Sequence, residues 1–500
     1  MHIEHLLILV TLGPAAGALL LSLLPGSLER LHRWAALAVS LVVFALSSLL
    51  WTNFNPDVAG FQLQSKVIPW IPQAGISFHI GLDGISLLLV LLTTLLIPVV
   101  ILASWRSIDQ HVKAFHISLL MLTTAMLGAF VSLDLFLFYV FWELMLIPMY
   151  FIIGVWGGKR RIYAAVKFFI FTMVGSVLML VAILYTAWFN HGITGVWSFA
   201  YTDLLKTAPQ LAMGSSFFSS PQMLVFAAFA LAFAIKVPMF PFHTWLPDAH
   251  TEAPTGGSII LAGVLLKLGT YGFLRFNRPL FPRAWDAFVP LILTLAVIGI
   301  LYGAWVALVQ PDMKRMVAYS SVSHLGFVML GLAAGTVAST QGAVLQMVNH
   351  GLSTGALFLL VGVVYERRHT RLIADYGGIA KVVPLYTGVF LLVTLSSIGL
   401  PGLNGFVGEF LILAGSWQKY PIAVIFGGLG IIFGAIYMLW MVQRVFWNPF
   451  AHEENKSLKD MNLREVLAVA PLLVFIVWIG VHPTTFLSPM EAAVRLLLGH

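Results

Sequence analysis

From Gly84 to Trp105 the chain reads GISLLLVLLTTLLIPVVILASW, a stretch without a single charge. The hydrocarbon core of a bilayer is about 30 Å thick, and roughly 20 apolar residues in α-helix cross it. Lipid offers no partner to a backbone N–H or C=O, so such a segment has to satisfy its own hydrogen bonds, and a helix does so. Comparable segments recur near residues 3–24, 32–52, 82–104, 114–132, 134–154, 163–189, 223–247, 256–276, 287–309, 314–334, 341–364, 382–415, 421–445 and 465–487. The expected fold is an all-α polytopic membrane protein with about 14 transmembrane helices. Only 9% of residues are Asp, Glu, Lys or Arg, against about 25% in soluble domains, which excludes a soluble enzyme with one anchor.

Fourteen crossings place both termini on one side. Of the 27 lysines and arginines, 17 fall in loops on one face, 7 on the other and three inside spans. The positive-inside rule assigns the richer face to the cytoplasm and both termini to the opposite side. The net charge of +7 is then loop charge that sets orientation, and no nucleic-acid partner is expected. Met1–Leu24 has neither a basic n-region nor a small-residue cleavage site, so it reads as a retained first helix. The chain has no cysteine, which excludes disulfides, thiolate iron–sulfur ligation and a cysteine nucleophile.

Two spans are unsuited to a straight helix. Residues 382–414 would make a rod of about 50 Å, and IGLPGLNG (Ile398–Gly405) interrupts it at Pro401. The seventh span is interrupted by Pro238 and Pro241. Broken backbone at membrane depth is tolerated where protein or a water-filled cavity satisfies it, and paired breaks in two halves point to an ion path. The expected organisation is therefore helices 1–3 in residues 1–112, a first repeat of helices 4–8 in 113–277, and a second, inverted repeat of helices 9–13 in 284–446. A loop and helix 14 follow in 447–500. The breaks in spans 7 and 12 carry this division, not matched residues.

Ionisable groups deep in a span are costly and suggest function. Glu143 lies near the middle of span 5, Lys236 of span 7 and Lys267 of span 8; His324 and His350 sit mid-span in 10 and 11, and Glu409 follows the break in 12. A lone buried histidine is more often a hydrogen-bonded packing residue, but six such groups on six helices form a candidate proton wire. A buried ammonium keeps its proton while a carboxylate stands near and releases it when the carboxylate withdraws. Glu143 is thus expected to control Lys236, with Lys267, His350, His324 and Glu409 completing the path. Lys167 is placed to snorkel and is at most an accessory, and Arg275 reads as an interfacial anchor.

His243, Asp248, His250 and Glu252 suggest a metal at first sight, but H-x4-D-x-H-x-E matches no tight ligand motif, unlike H-E-x-x-H, where two histidines share one helical face. His243 and His250 are read instead as members of a proton uptake mouth. No metal or cofactor is expected, since no Walker A, dinucleotide fingerprint or nucleophile elbow occurs.

KVPMFPFHTWLPDAHTEAPTGGSIILAGVLLKLGTYG, FWELMLIPMY, DMKRMVAYSSVSHLGF and GLPGLNGFVGEF together resemble the antiporter-like subunits of respiratory complex I, the NADH–quinone oxidoreductase, over nearly the whole chain. The resemblance implies fourteen helices with two inverted repeats. It also implies that Glu143, Lys236, Lys267 and Glu409 are proton-channel residues, with His324 and His350 in the connecting chain. FMN, iron–sulfur clusters and quinone would belong to other subunits, and the partners would be neighbouring membrane-arm subunits and lipid. Na⁺/H⁺ (Mrp-type) antiporters, whose subunits usually carry lysine at the position of Glu409, and proton-pumping hydrogenases share the core motifs and stand as alternatives. A passive scaffold is the third reading.

Overall fold

The computed structural model describes residues 3–499; Met1, His2 and His500, which close the expected first and last segments, lie outside them. The helices of eight or more residues, in chain order, begin with α1 Ile3–Leu23, α2 Glu29–Thr52, α3 Gly84–Ala103, α4 Val112–Val131, α5 Leu135–Trp156 and α6 Arg161–Thr194. Next come α7 Pro221–Lys236, α8 Trp245–Glu252, α9 Thr255–Leu280, α10 Pro282–Leu308, α11 Met313–Ala334 and α12 Val337–Arg368. The chain closes with α13 Pro384–Ser397, α14 Asn404–Ser416, α15 Pro421–Trp447, α16 Leu463–Val481 and α17 Thr484–Leu498. Twelve helices among the described residues are long and apolar enough to cross a membrane, and α7 and α13 are shorter apolar helices.

Local chemistry sets many of these boundaries. Asp83, Asp134 and Asp312 cap α3, α5 and α11, each accepting two backbone N–H groups at 2.7–3.1 Å. A carboxylate in that position contributes about 1 kcal/mol to the helix it starts. Four helices (α7, α10, α13 and α15) begin at a proline, whose missing N–H is no loss there.

α3, α9, α11 and α12 are almost wholly buried and form the centre, while α1, α2, α6, α10, α15 and α16 present apolar side chains such as Leu20, Val181, Ile422 and Val481 outward. That inside-out surface is what a lipid-facing periphery requires. The loops around Arg106, Glu252, Arg371 and Arg464 converge on one end of the bundle, the arginine-rich face. At the other end an antiparallel hairpin of β1 (Ile68–Ile71) and β2 (Ile76–Phe78) adjoins bridges Ile80–Ser132 and Asp134–Ala200.

Several boundaries differ from those expected. α6 runs over 34 residues, beyond the apolar stretch 163–189, because its polar end (Asn190 to Thr194) caps itself outside the apolar zone, with Gly195 left-handed at φ 74°. α12 likewise extends to Arg368. The two C-terminal helices include one, α17, that was not foreseen. α5 turns at Met145, where Pro148 cannot donate to the Leu144 carbonyl, so Glu143 sits at the bend.

Both expected breaks are present. α7 stops at Lys236 and the chain resumes as α8 at Trp245, whose Nε1 donates to the freed Ile235 carbonyl at 2.9 Å. Val237–Pro238 and Phe240–Pro241 are both cis. α13 stops at Ser397; Gly399 and Gly402 take left-handed φ values of 78° and 91° on either side of Pro401, and α14 starts at Asn404. Side chains line this second gap: Ser396 Oγ donates to Asn404 Oδ1 at 2.5 Å and lies 2.6 Å from Ser353 Oγ. α9 contains two π-helical segments, Leu261–Leu265 and Phe273–Asn277, a distortion that often accompanies functional sites.

Candidate functional site

Lys236, the last residue of α7, is fully buried, and its Nζ has no protein hydrogen-bond partner. It faces the rings of Trp142 and Phe168 at 5.3 and 5.5 Å, where cation–π attraction replaces part of the lost hydration. Glu143, at the bend of α5, is half-buried and acts on Lys236 through space, flanked by the hydroxyls of Tyr139 and Ser176. The sequence alone places the pair; the two hydroxyls come from one turn back on α5 and from α6, and nothing in the spacing marked Ser176.

Lys267 heads a second group. The π-helical segment leaves the Ala262 carbonyl without its usual partner, and Lys267 Nζ donates to it in a very short contact. Nζ also lies 2.6 Å from His350 Nδ1 on α12. The His350 and His324 rings are 5.9 Å apart, and His324 Nδ1 is 3.0 Å from Glu409 Oε1 on α14. All four side chains are at least nine-tenths buried. Lys267, His350, His324 and Glu409 are thus brought into one line with a single gap, between the two imidazoles.

Further polar groups extend that line. Gln346 Nε2 donates to Glu409 Oε1 at 3.0 Å, Asn349 Nδ2 donates to Gln346 Oε1 at 3.1 Å and to the Asn404 carbonyl at 2.8 Å, and Ser397 Oγ stands 3.4 Å from His324 Nε2. This network was missed, although Gln346, Asn349, His350 and Ser353 fall at helical spacing on an otherwise apolar helix, a polar stripe that could have been read.

The six groups do not form one continuous chain. No hydrogen bond joins Lys236 to Lys267, and the backbone beside Lys236 packs directly on α9: a Cβ at Gly269 would lie 2.7 Å from the Phe233 carbonyl oxygen and from the Val237 nitrogen. The ring of Phe233 fills the space over Gly272. Glu143–Lys236 and Lys267–Glu409 are two clusters separated by an apolar seam.

His243, buried, packs against Phe240 and Tyr302, with ring centres 5.7 and 5.0 Å away, and its Nδ1 is unpartnered. His250 is fully buried, stacks on Phe358 at 4.6 Å, and has neither ring nitrogen hydrogen-bonded to protein. Lys167 does not snorkel as an isolated cation; Asp248 on α8 holds it in a 2.7 Å ion pair. Glu252 accepts the Arg160 backbone N–H at 2.8 Å. His243, Asp248, His250 and Glu252 thus meet different neighbours, and among the described residues no three His, Asp or Glu side chains gather as a metal would need.

Arg275 differs from its expected role as an interfacial anchor. It is buried and pairs with Asp83 at 2.5 Å, and its Nε donates to Tyr271 Oη at 3.2 Å. Tyr271 in turn donates to the Phe130 carbonyl at 2.8 Å, so one clasp ties the start of α3 and the end of α4 to α9.

Residues 132–436 match a family described as NADH:quinone oxidoreductase/Mrp antiporter, transmembrane. NADH-quinone oxidoreductase subunit M of Rhodobacter capsulatus is 44% identical over 96% of this chain and 94% of its own length. NADH-ubiquinone oxidoreductase chain 4 of Marchantia polymorpha is 43% identical over 97% of this chain and 96% of its own. A chain of respiratory complex I from Thermus thermophilus superposes with a TM-score of 0.86 and 34% identity, covering 99% of this chain and all of that one.

Proposed function

The chain belongs to the NADH:quinone oxidoreductase/Mrp antiporter transmembrane family, and we propose on that premise that it is a proton-translocating subunit, of the subunit M or chain 4 type, in the membrane arm of an NADH–quinone oxidoreductase. The family also includes antiporter subunits; near-full-length identity of 43–44% with subunits of the oxidoreductase favours that branch. The observation that carries the reading is the buried series Lys267–His350–His324–Glu409, with contacts of 2.6 and 3.0 Å at its ends.

In that series a proton on Lys267 Nζ has an acceptor at His350 Nδ1, and a proton on His324 Nδ1 has one at Glu409 Oε1. Imidazole accepts at one nitrogen and donates at the other, so each histidine passes a proton on by exchanging tautomers. Lys236 feeds the series. While Glu143 stands near, the ammonium form is favoured; when Glu143 turns away, burial favours the neutral amine and the proton leaves. The seam at Gly269 and Gly272 has to hydrate or open for Lys236 to reach Lys267. Electron transfer through FMN, iron–sulfur clusters and quinone in other subunits supplies the drive, and this chain contributes proton transfer with no redox centre of its own.

The same reading counts fourteen crossings: twelve long helices, and the broken pairs α7–α8 and α13–α14 as one crossing each. The parallel between those pairs supports two inverted five-helix repeats, residues 113–277 and 284–446, with helices 1–3 in 1–112 before them and 447–500 after. The lysine and arginine bias supports an arginine-rich face on the cytoplasmic side of a bacterial inner membrane, with both termini periplasmic. Neighbouring antiporter-like subunits and lipid would cover the exposed apolar faces of α6 and α15.

The test is NADH-driven acidification of inverted membrane vesicles carrying the assembled complex. Lys236→Ala and Glu143→Ala are each expected to reduce pumping by at least about 10-fold, the scale of a lost proton-transfer group. Full pumping in both variants would remove the reading.

A further inference from the structure

The arginine-rich face encloses a cavity of about 1060 Å³ that the proton series does not reach. Glu252, Thr255, Lys314, Gly362 and Arg371 are among the residues around it. Lys314, in the first turn of α11, is 6% exposed, and its Nζ donates to the Ala253 carbonyl at 2.5 Å. A cation packed so deeply against one carbonyl, with its nearest carboxylates outside ion-pair distance, is an expensive arrangement to keep for packing alone. Beneath it is His250, wholly buried with both ring nitrogens free, and within electrostatic reach of Lys314 on one side and of Lys267 and His350 on the other.

α12 gives the depth of each step. Gly362 lines the cavity, Phe358 one turn below holds the His250 ring, and His350 lies two further turns down beside Lys267. From Gly362 to His350 the rise is about 18 Å, and His250 occupies the otherwise unbridged middle.

We propose that Lys314 takes protons from the cavity and passes them through His250 to the Lys267–His350 pair, a loading branch separate from the Glu143–Lys236 cluster. Water in the cavity protonates the Lys314 amine, and the ammonium gives that proton to one free nitrogen of His250. The imidazolium releases its other N–H, across intervening water, to the Lys267 amine or to His350 Nε2, which has no protein partner. The groups facing Lys314 are Asp312, Arg371, Glu252 and His250; those facing His250 are Lys314, Lys267 and His350. The proposal rests on the proton-translocating reading above.

Lys314→Gln separates carriage from packing, since glutamine can still donate to the Ala253 carbonyl but holds no transferable proton. In inverted vesicles with the whole complex, NADH-driven pumping is expected to fall by at least about 10-fold. Its residual rate should climb as the cavity side is acidified, because water must then protonate His250 directly; a packing role would leave that profile flat. If Lys314→Gln fails to enter the complex, Lys314→Arg decides, since arginine keeps charge and donor but does not release its proton. Wild-type pumping in the assembled variant, alongside its loss in Lys236→Ala, would overturn the loading branch and leave the proposed function intact. Normal pumping in Lys236→Ala and Glu143→Ala as well would instead remove both.

Discussion

Asp83 performs two tasks with one carboxylate: Oδ1 caps α3 and Oδ2 pairs with Arg275. Both partners are almost fully buried, so losing one strands the other charge in a low-dielectric setting. Asp83→Ala is therefore expected to destabilise the fold by about 3–5 kcal/mol, seen as a clear drop in the melting temperature of the detergent-solubilised complex. Arg275 shows what a linear reading cannot supply. Its position near a span end suits an anchor, and only the packing of α9 on α3 discloses a partner 192 residues away. Glu143, Lys236, Lys267, His324, His350 and Glu409 were legible because a charge among apolar neighbours stands out without knowing the fold. Ser176 and Lys314 were not, since hydroxyls are common in spans and a lysine near a span end has an ordinary explanation; Gln346 belonged to a stripe that was legible and went unread.

The two breaks illustrate what proline and glycine dictate at the level of an element. Pro238, Pro241 and Pro401 remove donors, which the sequence states outright; that Trp245 meets the freed Ile235 carbonyl, and that Ser396 Oγ meets Asn404 Oδ1 across the second break, only the folded arrangement brings about. The π-helical segments of α9 had no visible signal, since Leu261–Leu265 has the composition of any apolar helix. Gly405 permits the close return of α14 against the end of α13, and a Cβ there would overlap the Ser396 carbonyl oxygen. Gly405→Ala is accordingly expected to displace Asn404 and Glu409 together, lowering both the amount of assembled complex on native gels and the pumping of what assembles. α17 escaped notice because its 15 residues are amphipathic, not uniformly apolar, and a search for spans passes over them.

At the scale of the molecule, composition was enough for the class, a polytopic all-α membrane protein, but not for the count: fourteen spans were expected, and twelve helices among the described residues are long and apolar enough to cross a membrane. Nor was it enough for the arrangement that matters most, because the order of titratable residues along the chain says nothing of the distance between them. Lys236 and Lys267 looked like successive stations and are separated by the seam where Phe233 and Val237 press on Gly269 and Gly272. An uninterrupted conductor through a charged membrane would be a short circuit, dissipating the gradient whenever the redox machinery idled. On the proposed function the seam would be the insulation, making conduction conditional on an event elsewhere. Phe233→Ser, which exchanges a ring for a small hydroxyl and space for water, should leave NADH oxidation running while proteoliposomes of the whole complex lose an imposed pH gradient faster in the absence of NADH. Such a variant would be a battery with a pierced separator, and its faster self-discharge would measure what one phenylalanine holds back.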